Sequence, residues 1–266
     1  MAWLAGGALL CAACSGDGAE PTTFERVPET VALGALPEPL TSSASTVPPP
    51  ATTPITTVDE DEIEPIEGQV GEVVTGNRLL LIGDSAMAAL TPRHDGIACS
   101  VLPELGWEVE IEAEMARYLP FADEVIDEVV VDAGEKWDVI GLMFGHLLDT
   151  SVEEFGNQLE RIIGRLSSRP VLLYTITQED DAAAELNETI RAIGEERPNV
   201  VIVDWGAAVA FEQIVDLTGD DNLPNEEGMG RIVLLTAAAL GEPSSGGRGT
   251  CLEPRFTDDS AIVIES

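Results

Sequence analysis

The chain has 266 residues and a formal net charge of −36, with 13 basic residues, Lys136 being the one lysine. A surface of that sign repels nucleic acid and anionic lipid headgroups, which argues against both as partners; it reads either as a solvated acidic face or as an acidic site for a cationic ligand. Pro, Thr, Ser and acidic residues gather before residue 77, leaving about 190 residues from Asn77 onward, enough to bury one substantial core.

The first segment, residues 1–14, runs MAWLAGGALLCAAC and is followed by Ser15. It is too short to span a bilayer as a helix and reads as a secretory apolar region without a basic start. Ala12-Ala13-Cys14-Ser15 looks like a bacterial lipobox, in which Cys14 would be lipidated; Cys11 stands where an aliphatic residue is usual. The expectation is an extracytoplasmic, lipid-anchored protein of a bacterial envelope, with a secreted protein as the alternative and the membrane met only through this N-terminus.

Residues 15–76 carry Pro48-Pro49-Pro50 and Asp59-Glu60-Asp61-Glu62 among Thr, Ser and Ala. Such a composition cannot bury enough apolar surface to fold and stays extended, so this stretch is expected to be a disordered spacer.

From Arg78 the pattern becomes strand, turn, helix. Leu79–Ile82 is an all-apolar run, as a strand buried on both faces should be, and Trp107–Ile111 follows with mixed character. Asp138–Phe144, Pro170–Ile176 and Asn199–Asp204 complete five strands. A helix opens at Ser85 and runs to Leu90. Val125, Ile126, Val129 and Val130 mark a second; Phe155, Leu159, Ile162, Ile163 and Leu166 a third; Leu186, Ile190 and Ile193, before Pro198, a fourth. Strands alternating with helices predict an α/β fold: a three-layer α/β/α sandwich on a five-stranded parallel sheet over residues 77–241, with ligands at the carboxyl ends of the strands. Residues 242–266 are expected to form a tail packing on that domain.

Of the four cysteines, Cys99 and Cys251 remain once Cys11 and Cys14 go to the N-terminal segment. In an exported chain they are expected to pair, tying the tail to the loop after the first helix. Two free buried thiols are the alternative.

Chemistry centres on Leu79-Leu80-Leu81-Ile82-Gly83-Asp84-Ser85. Ser85 ends the first strand and opens a helix, where free N–H groups and the helix dipole would stabilise an oxyanion; the same position also suits a simple N-cap. Later segments align behind it: Gly145-His146-Leu147-Leu148 after an apolar strand, and Asp220-Asp221-Asn222-Leu223-Pro224-Asn225-Glu226-Glu227-Gly228 before an apolar helix. With these blocks, residues 77–241 resemble the SGNH/GDSL hydrolase superfamily, and the resemblance implies a flavodoxin-like hydrolase fold acting on acyl or acetyl esters of lipids and carbohydrates.

The resemblance implies that Ser85 stands at the nucleophile, Asp220 at the acid and Leu223 where the histidine base belongs. The oxyanion positions fall on Ser85, on Ala116, and on Leu147 in place of an asparagine. Without its base a serine hydroxyl is a weak nucleophile; loss of a comparable histidine costs roughly 10⁶ in turnover, and loss of a side-chain oxyanion donor about 3 to 4 kcal/mol. His94 and His146 are the only histidines. His146 is expected to point away from the face of residue 147, and His94 to lie away from the catalytic edge. Trp205, beside the carboxyl edge, is a core residue by default and the floor of a pocket by alternative. No cofactor and no metal are expected, because no His/Cys cluster has ligand spacing and scattered acids read as a solvated face.

The expected function is therefore a degenerate esterase-fold domain, monomeric, binding an envelope glycan, an acyl ester or a protein partner. A slow ester hydrolase or carbohydrate deacetylase using Ser85 with a non-histidine base is the alternative. A third option is a structural envelope module whose cleft Leu147 and Leu223 fill.

Overall fold

The computed structural model describes residues 65–132, 136–166, 169–178, 180–212, 217–219 and 222–260, all within one compact unit, Ile55–Ser266. Cys14 and Asp220 lie outside the described residues. The elements in chain order are α1 (Val70–Val73), β1 (Arg78–Gly83), α2 (Ser85–Ala88), α3 (Ala98–Val101), β2 (Glu108–Ala113), α4 (Pro120–Val125), β3 (Val139–Met143), α5 (Val152–Arg165), β4 (Val171–Tyr174), α6 (Asp181–Glu196), β5 (Val200–Val203), α7 (Trp205–Glu212), α8 (Glu226–Leu240) and β6 (Thr250–Cys251).

The strands form one sheet in the order β5-β4-β3-β1-β2-β6, parallel throughout. Alternation along each strand sends side chains to two cores. Leu79 and Leu81 join Val109, Ile111, Tyr174 and Trp205 on the face covered by α2, α3, α7 and α8. Leu80 and Ile82 join Ile140, Leu142 and Leu173 on the face covered by α4, α5 and α6. The result is the three-layer α/β/α sandwich that the alternating pattern predicts.

The sheet has six strands where the sequence suggested five. The sixth, Thr250–Cys251, pairs only with Glu108 and Val109 at the edge and is too short to leave a hydrophobic signature. The helix expected from Ser85 to Leu90 is a single turn ending at Ala88, after which the chain turns into a 3₁₀ turn at Pro92–His94. After Val125, α4 widens into a π-type helix over Ile126–Asp132. Helix α7 went unpredicted. Its sequence, Trp-Gly-Ala-Ala-Val-Ala-Phe-Glu, is apolar nearly throughout and offers no 3.6-residue alternation to read.

The segment after β6 runs along β2. Cys251 is disulfide-bonded to Cys99, with a Cα–Cα separation of 5.3 Å; Cys99 sits in α3 and not in a loop. Leu252 N–H donates to Val109 O at 2.7 Å. Beyond that point side chains replace the ladder. Glu112, fully buried, accepts the N–H groups of Arg255 and Phe256, each at 2.8 Å, and Glu114 accepts that of Asp258 at 2.6 Å. The acids expected to lie on a solvated face are, at Glu112 and Glu114, interior groups, and their charge is tolerated because hydrogen bonds meet it. Phe256 stacks edge-on against Phe121, ring centroids 5.4 Å apart.

Candidate active site at the carboxyl edge

Strand β1 lies between β2 and β3, so the chain leaves β1 toward one side of the sheet and returns on the other. The carboxyl ends of β1 and β3 therefore mark the topological switch point, where open α/β sheets bind ligands. Asp84 and Ser85 stand at the first end, Gly145 and His146 at the second.

Asp84, and not Ser85, is the N-cap of α2: its carboxylate accepts Ala86 N–H at 3.1 Å. The second carboxylate oxygen accepts Gly145 N–H at 3.1 Å, His146 N–H at 3.2 Å and His146 Nδ1 at 3.2 Å. The residue is wholly buried, and it clamps the two strand ends together. The close approach depends on Gly83, where an added Cβ would sit 2.7 Å from Met143 O, and on Gly145, whose φ of 124° favours glycine.

With the cap supplied by Asp84, the Ser85 hydroxyl is released for another contact. It accepts Ala116 N–H at 2.8 Å, which is its hydrogen bond among the described residues. Ala116 has φ 57°, a left-handed conformation in which an L residue is strained. Residue 116 thus has a backbone that suits glycine and directs its N–H at the serine oxygen.

No histidine reaches Ser85. His146 is turned toward Asp84, its side chain 6 % exposed, and its buried Nε2 has no hydrogen-bond partner among the described residues. Leu223 is half-buried and packs against the core shared by Leu217 and Trp205. Its loop is held elsewhere: Thr177 Oγ1 donates to Asn222 O at 3.3 Å beyond β4, and Asn225 caps α8 by accepting Gly228 N–H at 2.9 Å. Leu147 is half-buried in the loop between β3 and α5. Trp205 is fully buried with Nε1 donating to Thr177 Oγ1 at 3.0 Å, so it belongs to the core. Among the described residues no group of three His, Cys, Asp or Glu side chains could hold a metal ion.

Sequence reasoning passed over one group. Asp259, in the tail, accepts Met115 N–H at 2.9 Å on one carboxylate oxygen, while Arg93 Nε and His94 Nε2 each lie 2.9 Å from the other. Arg93 also donates to Ala113 O. Burial pushes the Asp259 carboxyl up, but the bonds from Arg93, Met115 N–H and His94 outweigh it and hold the pKa at about 2. His94, expected to lie away from the catalytic edge, is thus joined through Asp259 to Met115, the residue before Ala116. An isolated Asp in a polar tail gives no pattern that would single it out.

No protein-family model matches the sequence, and no curated protein matches it either. Solved structures do. A catalytic mutant of the acetylxylan esterase Axe2 from Geobacillus stearothermophilus matches at 17% identity and TM-score 0.51, covering 66% of this chain and 99% of that one. The C-terminal catalytic domain of Streptococcus pneumoniae peptidoglycan O-acetyltransferase A matches at 18% identity and TM-score 0.50, covering 62% and 93%. A G-D-S-L family protein of Desulfitobacterium hafniense DCB-2 matches at 16% identity and TM-score 0.47, covering 62% and 100%. The protein has the SGNH-hydrolase fold, an α/β/α sandwich shared with carbohydrate esterases.

Proposed function

We propose that the protein is a catalytically degenerate SGNH-fold module that binds an acylated glycan at the cell envelope. The observation that carries this reading is the environment of Ser85. Its oxygen meets Ala116 N–H and no base among the described residues, while the one histidine beside it is bonded to Asp84. A general base has to lie within hydrogen-bond reach of the proton it takes. Leucine at 223 and 147 removes the side chains that the resemblance places there for proton transfer and oxyanion binding. What survives is one donor, the Ser85 hydroxyl, held in place by the Ala116 N–H that its oxygen accepts, at the switch point of the sheet. A hydroxyl fixed in that way suits the carbonyl or hydroxyl of an ester-bearing sugar better than it suits turnover.

The choice of ligand is supported by the neighbours in fold, which include an acetylxylan esterase and a peptidoglycan O-acetyltransferase domain. The envelope location is supported by Ala12-Ala13-Cys14-Ser15 at the N-terminus. The test is paired. A fluorophosphonate probe should leave Ser85 unlabelled, and acetylated xylo-oligosaccharides or O-acetylated peptidoglycan fragments should bind saturably, with binding weakened in Ser85→Ala. Labelling that disappears in Ser85→Ala would instead establish a slow hydrolase.

A further inference from the structure

The tail reaches the site through a short chain of bonds. Residues 252–260 are anchored at one end by the Cys99–Cys251 disulfide and along their length by Glu112 and Glu114. At the far end Asp259 receives Met115 N–H on Oδ1 and the Arg93 guanidinium and His94 ring on Oδ2. Met115 immediately precedes Ala116, whose left-handed backbone aims its N–H at Ser85. Arg93 closes the loop by donating to Ala113 O, at the end of β2. The turn after β2 is therefore tied on its other side as well, by Glu114 accepting Arg117 Nε at 2.6 Å.

A strained left-handed residue persists only where its surroundings over-determine it. Here the surroundings are those bonds. Asp259 holds the peptide plane that carries the N–H of residue 115, so that the Ala116 N–H can swing away from the serine only through φ and ψ of Met115.

We infer that Asp259 is a positioning residue for the candidate site, holding the Met115–Ala116 turn so that the Ala116 N–H stays aimed at Ser85. The inference deepens the proposed function and rests on it only for its consequence, that a ligand is bound by the Ser85 hydroxyl which this N–H orients. The tail acts from outside the Ser85 cleft, through Met115. Asp259 touches no ligand in this scheme.

The experiment uses the full chain and residue-resolved amide hydrogen exchange, with Asp259→Ala, Asp259→Asn and, as a control on the same tail, Asp258→Ala. Removing the carboxylate should speed exchange at Met115 and Ala116 at least about tenfold, with the β1 and β3 amides of Leu81 and Leu142 changed less than about twofold. Asp259→Asn keeps an acceptor for Met115 N–H while losing the charge that draws Arg93, so it should fall between; it also serves where Asp259→Ala folds poorly. Asp258→Ala should change Ala116 exchange less than about twofold, because the Asp258 bond to Glu114 comes from its backbone and its side chain accepts Ser260 N–H, not a group of the Met115–Ala116 turn. Unchanged exchange at Ala116 in both Asp259 variants would overturn the inference, and so would a uniform rise across β1 and β3, which marks a merely structural role. Binding of acetylated xylo-oligosaccharides by the same variants is the second readout, with weakening in step with Ala116 exchange expected. If the wild type binds none of them while Ala116 exchange responds as stated, the ligand assignment falls and the positioning role stands.

Discussion

Asp84 and His146 are bonded across two strand ends, the carboxylate of one accepting both the backbone N–H and the Nδ1 of the other at 3.2 Å. That pairing occupies the nearest imidazole and makes Asp84 the most heavily used polar group of the site. Asp84→Ala leaves Ala86, Gly145 and His146 donors buried without their acceptor, and each such group costs about 1 to 3 kcal/mol. The expected loss is roughly 3 kcal/mol or more in urea unfolding, with Asp84→Asn losing less because it keeps one acceptor oxygen. A change below about 1 kcal/mol for Asp84→Ala would show that the clamp carries little.

Ala116 should gain from becoming glycine. Its φ of 57° costs an L residue about 1 to 2 kcal/mol, part of which is offset by the greater entropy of an unfolded glycine. Ala116→Gly is expected to stabilise the domain by about 0.5 kcal/mol in thermal or urea unfolding. A destabilised Ala116→Gly would contradict the left-handed turn.

Cys99 and Cys251 are 152 residues apart, so the bridge closes a long loop in the unfolded chain. Reduction should expose two additional thiols under denaturing conditions and lower stability by about 2 to 4 kcal/mol. The same thiol count with and without reductant would remove the bridge.

Asp259 gives a pH signature with a defined sign. Its carboxyl falls from 3.8 to about 2 on folding, so its contribution is complete above pH 3.8 and is lost as pH drops through about 2. The wild-type stability curve should therefore decline between those values, and Asp259→Asn should flatten the decline there while leaving the curve near neutrality parallel. An identical acid limb in the two proteins would refute the ion-pair network.

Much of this was legible in the sequence because buried parallel strands write themselves as apolar runs: Leu79–Ile82 and the strands around Ile140, Leu172 and Val201 fall where the runs predict. Phe155, Leu159 and Ile163 likewise place α5. Ser85 and Ala116, singled out by the resemblance, are joined by a hydrogen bond. What escaped reading depends on partners distant in the chain. Glu112 and Glu114 alternate like a solvent face, and only the tail's N–H groups, more than 140 positions away, make them interior. Asp84 is the middle residue of Gly83-Asp84-Ser85, yet its clamp role needs Gly145 and His146 in place.

The way the tail is held has one more implication, for how its sequence can change. Glu112 and Glu114 grip peptide N–H groups and are indifferent to the side chains those peptides carry. Exchanging Arg255 or Asp258 for another residue leaves those docking bonds available, so these two positions, unlike Phe256 and Asp259, are open to drift in composition and charge. A proline at 255, 256 or 258 is the exception: it deletes the donor, and one ring there would unfasten what a series of charge reversals leaves in place.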